Sequence, residues 1–144
     1  MLVQNFRYFN VYGPGEGHKG DQMSLVSKFQ KQASQDGVIK LFEGSDKFKR
    51  DLVSVHDVAV VHEKMMHETD TCGVFNLGTG KAVNVEEVAK SIAKRYDAKI
   101  EYIPMPDHLK SQYQEYTCAD NTKLHNAIAI RHWHTIEEYI NATN

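Results

Sequence analysis

At 144 residues, with 41% hydrophobic and 25% charged side chains, the chain has the size of one domain that can bury a core of its own. A formal charge of -2 excludes the overall basic field of a nucleic-acid binder, so any basic site must be local. No run approaches the roughly 18 apolar residues of a membrane helix, the start MLVQNFRYFN has no leader pattern, and Cys72 and Cys118 are too few and too far apart for a disulfide framework. The expectation is a cytoplasmic protein with no membrane or nucleic-acid partner.

Strand and helix periods alternate along the chain without repeats or low-complexity linkers, which predicts one continuous α/β unit. Residues 2–10, LVQNFRYFN, read as extended and aromatic-rich. Residues 23–33 read as a helix with Leu25, Phe29 and Gln32 on one side, capped by Asp21 or Ser24. VIKLFEG, at 38–44, is a short strand closed by Gly44, and residues 50–68 start as a strand and become a helix capped by Asp57. GVFNLGTG is a buried strand with a glycine exit. Asn84 caps the helix that follows it, whose apolar stripe is Val85, Val88, Ile92 and Ala93. KIEYIPMP is a strand stopped by Pro104 and Pro106. Residues 107–117 read as loop, 120–127 as a short helix, and Thr135 to Glu138 as the capping box of a last helix.

Several motifs bear on chemistry. Gly15 to Gly20 spells G-x-G-x-x-G, but the loop is longer than a tight strand-to-helix turn. His18 and Lys19 also put large side chains where a pyrophosphate needs bare backbone. A flexible surface loop is the better reading, with Lys19 presented to a ligand as the alternative. His62 and His67 have one residue too many for H-E-x-x-H, and five residues turn a helix by about 140° from face to face. No metal site is therefore expected. NLGTGK, at 76–81, lacks the first glycine and the final hydroxyl of a phosphate loop and reads as a strand-end turn. Lys47, Lys49 and Arg50 flank a strand start, where an arginine can grip phosphate bidentately.

RYFNVYGP at 7–14, KRDLVSVHDVA at 49–59 and FNLGTG at 75–80 resemble, in that order, the second half of extended short-chain dehydrogenase/reductases, the nucleotide-sugar epimerases and dehydratases. Within them, RYFNVYGPGEGHKG, KLFEGSDKFKRD and IEYIPMPDHLKSQYQEYTCAD are similar to the ADP-L-glycero-D-manno-heptose 6-epimerases. The resemblance implies the last strands of a Rossmann-type sheet plus the smaller substrate-binding lobe. It also implies inversion at C6 of an ADP-heptose by oxidation and re-reduction with NADP, or NAD, as cofactor.

By the same resemblance, Lys19 matches a catalytic acid/base lysine. A lysine acts as a base near neutrality when desolvation or neighbouring positive charge lowers its pKa, and His18 and the nicotinamide ring are the expected sources. Asn10 matches a substrate asparagine and Val11 a cofactor contact. Phe42, Glu43, Gly44 and Ser45 match the segment along the nucleotide, Arg50 a diphosphate arginine, and Tyr113 a substrate tyrosine. Asp21 stands where the family has a small hydroxyl residue, and Lys28, where the family can have histidine, can donate to phosphate. Residues 1–144 are thus expected to be the carboxy-terminal, substrate-binding portion of a nucleotide-sugar epimerase. The amino-terminal dinucleotide-binding portion and its Y-x-x-x-K tyrosine would lie outside it. A homo-oligomer is implied for the whole family. The alternatives are another nucleotide-sugar epimerase or dehydratase, or a non-catalytic sugar-nucleotide-binding remnant.

Overall fold

In the computed structural model, which describes residues 1–142, the first extended run divides into β1 (Gln4–Tyr8) and β2 (Asn10–Tyr12), which join different sheets. β1 lies parallel to β5 (Gly73–Leu77), while β2 lies parallel to β4 (Lys49–Ser54). β3 (Val38–Phe42) pairs in parallel with β7 (Lys99–Ile103). β4 also takes β6 (Ala82–Asn84) antiparallel and β8 (Tyr116–Thr117) parallel, in the same sheet as β2. Around them lie α1 (Leu25–Asp36), α2 (Val55–His67), α3 (Val85–Tyr96), α4 (Asp107–Lys110), α5 (Thr122–Ala127) and α6 (Ile136–Ala142). None is long and apolar enough to cross a membrane.

The chain is the expected mixed α/β unit built mainly on parallel pairing, with local differences. Residues 107–117, expected as loop, contain α4 and β8, and β6 was not foreseen; runs of two to four residues carry too few positions to show a period. Ser24 caps α1, its Oγ accepting from Ser27 N at 3.2 Å, and Asp21 is exposed one segment earlier. Ser54 Oγ caps α2 through His56 N at 3.2 Å, so Asp57 is not the cap but a buried residue of the first turn. The Asn84 cap and the Thr135–Glu138 capping box form as expected. The stripe predicted on α3 is buried throughout. On α1 the buried line is Val26, Phe29 and Ala33 instead, while Gln32 sits at the margin and accepts from Lys40 N.

Burial divides into two clusters. One gathers α1, α3 and α6 over β3 and β7, with Phe29, Ile39, Leu41 and Ile92 at its centre. The other gathers Val53, Val61, Met65, Phe75, Leu77 and Leu124 around β1 and β5. Asp51, in the middle of β4, is fully buried and its carboxylate accepts four bonds. Oδ1 takes Thr79 N and Thr79 Oγ1 at 2.8 and 2.7 Å, and Oδ2 takes Gly80 N and Ala119 N, each at 2.9 Å. The glycine turn after β5 therefore does wrap an anion, and the anion is the chain's own side chain. A Cβ on Gly78 would lie 2.7 Å from Asp51 Oδ2 and 2.8 Å from Ala119 Cβ, which explains a glycine there.

Asp51→Asn keeps the volume but turns an N–H toward backbone donors and removes the charge that strengthens the bonds, a loss of about 2–4 kcal/mol. Gly78→Ala should destabilise in the same direction. Urea unfolding checks both, and a loss of under about 0.5 kcal/mol in the Asp51 variant would contradict the clamp.

Candidate functional site

Five of the expected residues meet at one place. A cleft of about 290 Å³ is lined by Glu43, Gly44, Lys47, Phe48, Met105, Lys110, Tyr113 and Glu115, at the ends of β3 and β7. Its back wall is aromatic. The Tyr113 ring packs against Phe48 with centroids 4.6 Å apart, and edge-on to Phe42 at 6.0 Å. The Arg50 guanidinium lies over the Tyr113 ring, 5.2 Å from its centroid. Arg50 Nη1 donates to Lys49 O at 2.9 Å and Nη2 donates to Gln114 O, which fixes the fork beside the cleft.

Ser45, adjacent in sequence, is turned inward. It is 1% exposed, and its hydroxyl donates to Glu86 at the start of α3. Asn10 is half-buried on β2, its amide donating to Asp51 O at 3.1 Å and Thr117 Oγ1 at 3.3 Å. Val11 packs against the second cluster, opposite Val53 in the sheet. Neither Lys19 nor Lys28 lines the cleft; Lys28 is exposed on the first turn of α1.

The glycine-rich segment is not a slack loop. Residues Glu16–Gln22 form 3-10 turns with a kink at Gly20 (φ 53), and Glu16 is buried beneath them. Its carboxylate accepts Ser24 N and Ser24 Oγ, each at 2.7 Å, and Ser27 Oγ at 2.8 Å. Lys19 Nζ lies 3.5 Å from the same carboxylate, its side chain 43% exposed. Burial pushes the Glu16 pKa up, but the bonds from Ser24 and Ser27 and the Lys19 charge outweigh it, leaving the carboxyl below its ordinary value. The same carboxylate rules out the fingerprint reading. It already occupies the α1 amide end where a pyrophosphate would sit, so this segment does not fit a dinucleotide. The charge nearest Lys19 is thus negative, whereas the expectation from His18 was positive.

Asp57 and His134 form a pair that the sequence did not suggest. The buried Asp57 carboxylate accepts His134 N at 2.8 Å and pairs with His134 Nδ1 at 2.6 Å, which raises the imidazole pKa. Their separation of 77 positions in sequence left no local signal. His134 lines a cavity of about 570 Å³ with Pro14, Ser54, His56, His132 and Tyr139. His62 Nδ1 donates to Val58 O at 2.7 Å, which leaves Nε2 to accept from Tyr8 OH at 2.9 Å.

The chain is a mixed α/β protein built on parallel strand pairs, with an arginine over an aromatic wall beside a cleft of mixed charge. The sequence pattern of NAD dependent epimerases and dehydratases matches residues 2–78, more than half of the chain, and the chain belongs to that family. Among solved structures it is similar to the ADP-L-glycero-D-manno-heptose-6-epimerase of Helicobacter pylori, with 27% identity and a TM-score of 0.79 over 96% of this chain and 42% of that one. It is also similar to the UDP-glucose 4-epimerase of Thermotoga maritima, determined with UDP-glucose: 27% identity and a TM-score of 0.76 over 97% and 44%. The dTDP-glucose 4,6-dehydratase of Bacillus anthracis, in complex with NAD, shares the fold at 21% identity and a TM-score of 0.76 over 98% and 43%. The chain thus spans less than half the length of each of these proteins.

Two pH responses follow, with opposite signs. The lowered pKa of Glu16 makes its contribution complete above the ordinary carboxylate range and lost as pH falls through the folded value. Backbone NMR signals of residues 15–24 should broaden in acid, and Glu16→Gln should show that state at neutral pH; unchanged signals in this variant would refute the pinning. The raised pKa of His134 makes its contribution complete below about 6.5 and lost as pH rises through the folded value. Asp57→Asn should lower the titration midpoint of the His134 imidazole by NMR, and an unmoved midpoint would contradict the pair.

Proposed function

We propose that the chain is the carboxy-terminal, substrate-binding portion of a nucleotide-sugar epimerase acting on ADP-D-glycero-D-manno-heptose. Inversion of C6 would give ADP-L-glycero-D-manno-heptose, a precursor of the lipopolysaccharide core. The observation that carries this reading is that Glu43, Gly44 and Tyr113 line one cleft while Phe42 and Arg50 pack against its Tyr113 wall. The likeness to the Helicobacter pylori enzyme supports the choice of sugar.

Arg50 would meet the diphosphate, its guanidinium already oriented by Tyr113 and two carbonyls, so little freedom is lost on binding. Lys28 would add a phosphate donor from α1. Asn10, whose N–H groups are engaged, would offer its carbonyl oxygen to a sugar hydroxyl. Ser45 would act by holding the Glu43–Ser45 turn against α3. Lys19 is proposed as the acid/base, and its pair with Glu16 must open before the amine can take a proton. NADP, or NAD, would supply hydride removal and return. Of the residues described, only Val11 is proposed to touch it, and no step is assigned through it. A homo-oligomer in the whole enzyme belongs to the same proposal. The equal identity to the Thermotoga maritima enzyme favours a second reading, an epimerase for UDP sugars.

Calorimetry with ADP-heptose should show binding to this chain without turnover, and Arg50→Ala should weaken it about tenfold or more. In an enzyme with its nicotinamide-binding portion, Lys19→Ala should abolish epimerisation while substrate affinity stays within about threefold. No binding, an indifferent Arg50 variant, or an active Lys19 variant would each count against the reading.

A further inference from the structure

The cavity of about 570 Å³ at His134 shares no lining residue with the cleft at Tyr113, and the proposed epimerisation leaves it unused. Its size is that of an ordinary small-molecule site. Pro14, Ala142 and the ring of Tyr139 give it an apolar wall, while Ser54, His56 and His134 supply polar groups. Asp57, 4% exposed, accepts from His134 Nδ1, so that nitrogen carries a proton and the ring is fixed. Nε2, on the far edge of the ring, has no hydrogen-bond partner among the described residues. Ser54 is 2% exposed; its oxygen accepts from His56 N, but its O–H finds no acceptor among the described residues. A buried hydroxyl proton left over beside a fixed imidazole calls for an acceptor from outside the chain.

The charges that face His134 limit what that acceptor is. From α2 come Asp57 and His56, whose ring lies 6.5 Å from that of His134. β2 brings Tyr12, which donates to His134 O, and α6 brings Tyr139 and Glu138. His132, with its ring 5.3 Å from His134, lies 3.4 Å from the Glu138 carboxylate, which also accepts from Thr135 N at 2.7 Å. A protonated His134 thus brings one positive charge, already balanced by Asp57, with Glu138 at the wall. A dianion is repelled there more than it is held, whereas a single carboxylate can accept from both Nε2–H and the Ser54 hydroxyl. A metal ion also suits a carboxylate-bound imidazole. However, no group of three His, Cys, Asp or Glu side chains among the described residues is placed to hold one.

We propose that this cavity binds a small organic carboxylate, its oxygens on His134 Nε2 and the Ser54 hydroxyl and its apolar body against Pro14, Tyr139 and Ala142. The ring donates from Nε2 only when protonated, so carboxylate and proton each strengthen the binding of the other. Asp57 is a positioning residue that favours the protonated ring.

The test titrates benzoate, and benzamide as its neutral counterpart, into the 144-residue chain by calorimetry, with the His134 imidazole followed by NMR. At about pH 6 benzoate should bind about tenfold or more tighter than benzamide. Its affinity should fall about fivefold or more by about pH 8 while that of benzamide stays level, and saturating benzoate should raise the His134 titration midpoint. His134→Gln keeps a donor without the charge and should remove both the preference for benzoate and its pH dependence. Ala142→Phe, at an exposed position of the wall, fills the space without changing any charge and should abolish binding. An unchanged thermal midpoint confirms that both variants remain folded.

Benzamide binding as tightly as benzoate, an affinity indifferent to pH, or full binding by the Ala142→Phe variant overturns the inference. So do zinc ions that move the His134 signals where benzoate leaves them in place, which would make the site a metal centre. None of these outcomes bears on the nucleotide-sugar reading, which rests on other residues.

Discussion

Asp51 is the constraint on which the arrangement depends. A fully buried carboxylate is costly unless its oxygens are satisfied, and here four donors from two distant segments converge on it. The turn at Gly78–Gly80 and the start of the segment at Ala119 are thereby drawn to the same strand. β4 is the shared member of the sheet, pairing with β2, β6 and β8, so fixing its position fixes theirs. Because successive strand residues point to opposite faces, locking Asp51 inward turns Arg50 outward. The cleft inherits its orientation from a residue that does not touch it.

Glu16 repeats the device on a smaller scale. Buried and held by the first residues of α1, it converts a glycine-rich run into 3-10 turns and places Lys19 within reach of its charge. Asp57 does the same for the segment entering α6, through the backbone and ring of His134. In each case a buried acid organises a neighbouring surface by giving backbone amides a strong acceptor, which a neutral residue does less well.

Long periodic elements were legible from sequence. The stripe of α3 and the caps at Asn84 and Thr135 depend on residues within one or two turns, so local pattern suffices. β6, β8 and α4 escaped notice because their conformation comes from pairing with β4 or from adjacent turns, not from a period of their own. Asp57 was misread as a cap because it is a favoured cap residue near a helix start, whereas Ser54 holds the capping geometry and Asp57 is drawn inward by His134.

For the site, the sequence by itself determined which residue types were available: an arginine at a strand start, a tyrosine far downstream, a lysine among glycines, and the motif order that marks the family. Only the tertiary structure decided that Glu43 and Tyr113 line one cleft, with Phe42 and Arg50 packed against the Tyr113 ring. It also turned Ser45 inward and paired Lys19 with a carboxylate. The physical reason is range. Periodicity and capping are set by neighbours a few residues away, but β3, β4 and the segment after α4 meet through parallel pairing and burial across tens of residues. Whether a side chain there is exposed, stacked or paired depends on what the rest of the chain brings against it.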